Sequence, residues 1–123
     1  MKSKAIAESW FAKWSSGDFM NLPLAEGFTH ESPFGIISGK SAYLLLVEQN
    51  QDKFLGYQFE IHDGFYEADK ACVRYTTRQG ESFKMDVSEW YYLQGEQITK
   101  IIAHYHIGEI REDRQIEDYE NPS

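Results

Sequence analysis

The residues Phe83, Met85, Val87, Glu89, Tyr91 and Leu93 alternate with Lys84, Asp86, Ser88, Trp90 and Tyr92. Alternation this strict marks a strand with one face turned to an apolar interior. Glu89 falls on the apolar face. Burying a lone charged carboxylate there is very costly, so the side chain must be partnered, held neutral or turned toward a cavity. A chain that places an acid at an inward strand position is expected to fold around a lined pocket, with Glu89 as its principal polar group.

The 123 residues suit one ordinary domain, large enough to bury a core. Three Trp, eight Tyr and eight Phe make that core, or a pocket within it, aromatic. The formal net charge of −8 argues against a nucleic-acid partner, because phosphate binding needs a basic surface. Six acids and two arginines lie between Glu109 and Ser123, so half of the net charge belongs to a tail that reads as a solvated end. The expected organisation is a domain over residues 1–108 and an acidic tail over 109–123. Cys72 is the only cysteine, which rules out an intrachain disulfide and fits a reducing compartment. Residues 1–9 lack a signal-like apolar run, and no stretch reaches membrane-spanning length, so a cytoplasmic protein without membrane contact is expected.

Along the chain, Ile6, Trp10 and Trp14 recur every fourth residue from Lys4 to Ser16, with Ala7 and Phe11 beside them, and predict an amphipathic helix stopped by Gly17. A short helical turn over Phe19 to Ala25 is limited by Pro23. Phe28 to Ser32 reads as a short strand, broken by Pro33 and Gly35. A second helix is expected from Ser41 to Phe54. From Gly56 the period becomes two, with strands over 57–62, 71–78, 83–93 and 97–107, separated by Asp63-Gly64, Ala68-Asp69-Lys70, Gln79-Gly80 and Gln94-Gly95. Helices followed by a strand meander give an α+β domain, with helices covering one face of a curved sheet.

This order, together with the Gly17-Asp18 step, the segment His30-Glu31-Ser32-Pro33-Phe34-Gly35, the Ser38-Gly39-Lys40 opening and the closing Leu93-Gln94-Gly95-Glu96-Gln97-Ile98, resembles the nuclear transport factor 2-like superfamily. Within it, the resemblance is to the SnoaL-like polyketide cyclase and ketosteroid isomerase branch, over roughly Ala5 to Ile107. It implies a cone-shaped α+β fold, whose curved antiparallel sheet has its concave face covered by the N-terminal helices around a deep apolar pocket. It also implies a homodimer paired through the outer sheet face. Ketosteroid isomerases use a carboxylate base before a Pro-x-Gly segment, where this chain has Ser32. Their two oxyanion donors are a Tyr and a protonated Asp, where it has Trp10 and Glu89. Steroid isomerisation is therefore not implied, but a carboxyl survives at one family position.

His30 shares a strand face with Ser32, and a His30–Glu89 pair could move protons near neutral pH. In that reading His30 is the base and Glu89 the acid or hydrogen-bond donor. The alternative is that His30 merely satisfies Glu89 or a backbone carbonyl. Trp10, Trp14, Ser32, Tyr75, Met85, Tyr91 and Tyr105 are the expected substrate-contacting residues, although a stripe of this kind also serves as plain core. His104 and His106 share a strand face opposite Tyr105 and are expected on the outer face. Two strand histidines are too few ligands for a metal, so neither metal nor other cofactor is expected.

The functional expectation is a protein that binds a small, largely apolar organic molecule. As an enzyme it would perform cofactor-free acid–base isomerisation, cyclisation or dehydration. A ligand carrier or dimeric interaction module without turnover, and a cup filled by its own side chains, are the alternatives.

Overall fold

The computed structural model describes residues 2–106. Helix α1 (Lys2–Ser16) is followed by a 3-10 turn at Phe19–Asn21, strands β1 (Leu24–Ser32) and β2 (Gly35–Ser38), helix α2 (Lys40–Gln49) and a 3-10 turn at Gln51–Lys53. Strands β3 (Gln58–Tyr66), β4 (Lys70–Gln79), β5 (Phe83–Gln94) and β6 (Gln97–Tyr105) complete the domain.

Ser3, Ile6, Ala7, Trp10 and Trp14 form the buried stripe of α1, the spacing that puts one helix face against a sheet. The helix stops because Gly17 takes a left-handed conformation, φ 79°. The Gly17 N–H then donates to the Trp14 carbonyl and the Asp18 N–H to the Lys13 carbonyl, the paired bonds of a Schellman end. At the other end the Ser3 hydroxyl donates to the Glu67 carbonyl in the β3–β4 turn, which ties the helix start to the sheet.

The six strands form one sheet in the order β2-β1-β6-β5-β4-β3. The meander β3–β6 is antiparallel, and β1 joins it through a parallel pairing with β6, so the sheet is mixed. The parallel edge is fixed by Leu24↔Ile98 and His30↔Ile101, with a register shift between Leu24 and Thr29. The result is the expected α+β cone: α1 lies over β3 and β4, and α2 over β1 and β2. Phe28, Val73, Ile98 and Ile101 are wholly buried at its centre.

Four departures from the sequence reading have local causes. Ser32-Pro33-Phe34-Gly35 does not end the sheet; it is the turn of a β1–β2 hairpin, closed by the Phe34 N–H donating to Ser32 Oγ at 3.2 Å. The helical turn expected over Phe19 to Ala25 is present only as the 3-10 turn Phe19–Asn21, because β1 already starts at Leu24. Asp63-Gly64 does not break β3, because a bulge between Ile61 and Asp63 absorbs the irregularity and pairing continues to Tyr66↔Ala71. The second helix ends at Gln49, and the 3-10 turn carries the chain on to Phe54. β6 is described to Tyr105, so its expected end at residue 107 and the tail over 109–123 lie outside the described residues.

Candidate functional site

On β5, Val87, Glu89, Tyr91 and Leu93 are buried, whereas Trp90 is exposed on the other face. Glu89 is only 5% exposed and sits between Val73 of β4 and Ala103 of β6. The Tyr91 hydroxyl donates to its Oε1, and the Tyr75 hydroxyl and the Trp10 indole N–H face it as further donors. Burial raises the Glu89 pKa from 4.5 to about 7, and the donors from Tyr91, Tyr75 and Trp10 restrain the rise because they favour the charged form. The opposite shift falls on the tyrosines. Desolvation first, and the Glu89 charge second, push the Tyr75 and Tyr91 hydroxyls well above 10, so they remain donors.

Glu89 forms part of the wall of a cavity of about 970 Å³ between the helices and the concave sheet face. That is the size of small-ligand pockets rather than of a packing defect. Its wall is mainly apolar and rich in aromatic rings. Trp10 and Trp14 meet edge to face at 5.5 Å, Phe59 packs on Tyr75 at 5.7 Å, and Phe11, which is not part of the wall, packs on Tyr75 at 4.9 Å.

His30 lines the same cavity from β1, stacked on Tyr43 of α2 at 5.2 Å. It does not pair with Glu89. Burial without a counter-charge lowers its pKa from 6.5 to about 4, so the ring is neutral at pH 7. The two groups thus titrate in the reverse of their usual order, with the carboxyl the more basic.

Trp10, Trp14, Ser32, Tyr75, Met85 and Tyr105 line the cavity with them. Tyr91 does not. It is 1% exposed and lies behind Glu89, where it orients the carboxyl instead of meeting a ligand. His104 is exposed on the outer sheet face opposite Ser88, while His106, beyond the end of β6, is at the cavity wall rather than outside. Strand alternation stops applying at Tyr105, which is why the shared-face expectation fails for His106. Among the described residues no three His, Cys, Asp or Glu side chains converge as a metal site.

Tyr43 and Thr77 are among the wall residues that were not singled out from the sequence. Tyr43 is four residues before Val47 on the buried face of α2, a helical spacing that would have exposed it. Thr77 follows Val73 and Tyr75 on the inner face of β4, where alternation alone places it.

A family model described as a SnoaL-like domain matches residues 7–101. No curated protein sequence matches the chain. Among solved structures, a ketosteroid isomerase candidate from Kribbella flavida is 16% identical, with a TM-score of 0.73 over 99% of this chain and 91% of that one. An LEH-like epoxide hydrolase from M. tuberculosis is 16% identical, with a TM-score of 0.74 over 85% and 83% of the two chains. An NTF2-like protein of unknown function from Cytophaga hutchinsonii is 19% identical, with a TM-score of 0.72 over 85% and 89%. At these identities the likeness is one of fold.

Proposed function

The chain belongs to the SnoaL-like domain family, and from that premise we propose that it binds a small, largely apolar organic molecule in the cavity and transfers protons on it without a cofactor. The observation that carries this reading is a single carboxyl, buried among aromatic rings, that titrates near neutrality at the wall of a ligand-sized cavity. A group with a pKa near the working pH can both take and return a proton, as isomerisation, cyclisation and dehydration require. Glu89 carries the proton. His30, neutral at the same pH, offers its ring nitrogens to the substrate as a hydrogen-bonding group and is too weak a base to compete. Trp10, Trp14, Tyr75, Met85 and Tyr105 hold the substrate by apolar contact.

The outer face supports a homodimer. Phe65 pairs with Cys72, Cys72 with Trp90, Trp90 with Ile102, Ile102 with Glu31, and Glu31 with Ile36. This single row crosses all six strands and exposes Phe65 by 75%, Trp90 by 40% and Ile36 by 65%. Three exposed apolar side chains along one row, interrupted by Glu31, fit a second copy of the chain.

Deuterium exchange α to the carbonyl of 1-tetralone, followed by proton NMR, tests the chemistry without knowledge of the natural substrate. The wild-type protein is expected to accelerate exchange with a rate that rises with pH around a midpoint near 7, and Glu89→Gln to return it to the buffer rate. His30→Ala keeps the midpoint and lowers the rate. Binding without accelerated exchange would identify a carrier, and equal rates in wild type and Glu89→Gln would remove Glu89 from the chemistry.

A further inference from the structure

We infer that the ligand of this cavity carries a cationic nitrogen on its apolar body, and that the positive charge seats against the Glu89 carboxylate among the aromatic rings. The inference rests on the cavity being the site of a largely apolar molecule and adds the charge which that molecule bears.

Glu89 is a buried acid without a counter-charge. Among the described residues the ion pairs are Lys13–Asp18, Arg74–Asp63 and Arg78–Glu60, and none includes Glu89. The groups that face it are the Tyr91 and Tyr75 hydroxyls and the Trp10 indole N–H, all uncharged at neutral pH. Its strand neighbours are Val73 and Ala103, and His30 of β1 is neutral at pH 7. Two lysines touch the wall elsewhere. Lys84 lies five residues away along β5, roughly 17 Å, and its charge acts on Glu60 and Asp86 of the outer face. Lys53 is exposed in the 3-10 turn after α2.

Buried charges are as a rule paired, because an isolated one loses its hydration with nothing in return. A carboxylate offers roughly four acceptor positions, so the three donors leave room for one more partner. The carboxyl's field also reaches across the cavity. Burial first, and the Glu89 charge second, push the Tyr43 hydroxyl well above 10, although Tyr43 belongs to α2, which packs on β1 and β2. Trp10, Tyr43 and Tyr75 line the cavity with Glu89, and aromatic π-systems attract a weakly hydrated cation. The net charge of −8 draws cations toward the chain as well. Pairing lowers the Glu89 pKa in the complex, while the positive charge acidifies a neighbouring C–H, so the proton transfer proposed above keeps its balance.

The test compares phenyltrimethylammonium with tert-butylbenzene, which have the same shape and differ in the charged nitrogen, by equilibrium dialysis. The quaternary ion keeps its charge at every pH, so its pH dependence belongs to the protein. At pH 8 the wild-type protein is expected to bind the cation at least about tenfold more tightly than the hydrocarbon. Cation affinity should fall about tenfold from pH 8 to 6, as Glu89 takes up its proton with a midpoint near 7, while hydrocarbon affinity stays level. Glu89→Gln should abolish both the preference and this fall, whereas a fall caused by His106 at the wall would survive in the variant. A cation affinity that stays level from pH 8 to 6 in the wild type would overturn the inference, whether or not the variant folds. So would equal cation affinities in wild type and variant. If the wild-type protein binds only tert-butylbenzene, the cavity stands as a ligand site and the charge assignment alone fails. If it binds neither probe, the ligand-site reading fails and the inference with it.

Discussion

Replacing Glu89 by glutamine should expose a pH dependence of stability that the wild-type protein conceals. Glu89 has its native pKa raised from 4.5 to about 7, so the native state holds this proton more tightly than the unfolded chain does. Its contribution is complete below 4.5 and is lost as the pH rises through 7. His30 has its native pKa lowered from 6.5 to about 4, so its contribution is present above 6.5 and is lost as the pH falls through 4. At ~1.4 kcal/mol per pH unit, each gap corresponds to the order of 3 kcal/mol, of which about 2 kcal/mol falls between pH 4.5 and 6.5. In that window the two slopes oppose each other and nearly cancel. Urea unfolding followed by circular dichroism, at fixed protein concentration and in half-unit pH steps, reads the balance. The wild-type protein should be nearly level as far as these two groups are concerned. Glu89→Gln should gain about 2 kcal/mol from pH 4.5 to 6.5, and His30→Gln should lose about as much. A stability difference between wild type and Glu89→Gln that stays constant across the window would refute the reasoning, because a hydrated carboxyl at that position would titrate alike in both states.

Tyr91→Phe removes the strongest of the donors that favour the charged carboxyl, so the Glu89 midpoint should rise above 7 and the exchange profile should move to more alkaline pH; an unmoved profile would deny Tyr91 that role. Trp90→Lys places a charge at the centre of the exposed apolar row and should convert a dimer to a monomer in sedimentation velocity, and an unchanged sedimentation coefficient would place any dimer elsewhere.

How much of this was legible in the sequence depended on the range of the interaction involved. Strand β5 and the inward face of Glu89 follow from alternation, because Phe83 to Tyr92 pair with β4 without a register shift. The same rule failed at β3, where Asp63-Gly64 looks like a turn. Gly64 is there because the Tyr66 ring folds back over it and a side chain would collide with that ring. The β1–β2 hairpin was hidden by Pro33 and by Gly35, whose φ of 126° suits glycine and makes the turn rather than ending the sheet. The parallel β1–β6 pairing joins segments about seventy residues apart, and no local pattern encodes it. Within the site, periodicity gave Tyr91 the correct face but not its depth, and depth is what separates a residue that meets a ligand from one that holds the residue that does. The missing counter-charge at Glu89 is likewise invisible to pattern, since an ion pair left open is a property of the assembled wall.

The account depends on a carboxyl that shares its proton with neutral solution from inside an apolar cavity. Carbon-13 NMR of the glutamate side-chain carboxyls, with Glu89→Gln to assign the signal, measures that directly. A Glu89 signal that titrates with a midpoint near 7 is the expected result. A midpoint near 4.5, the ordinary value for a hydrated glutamate, would contradict it.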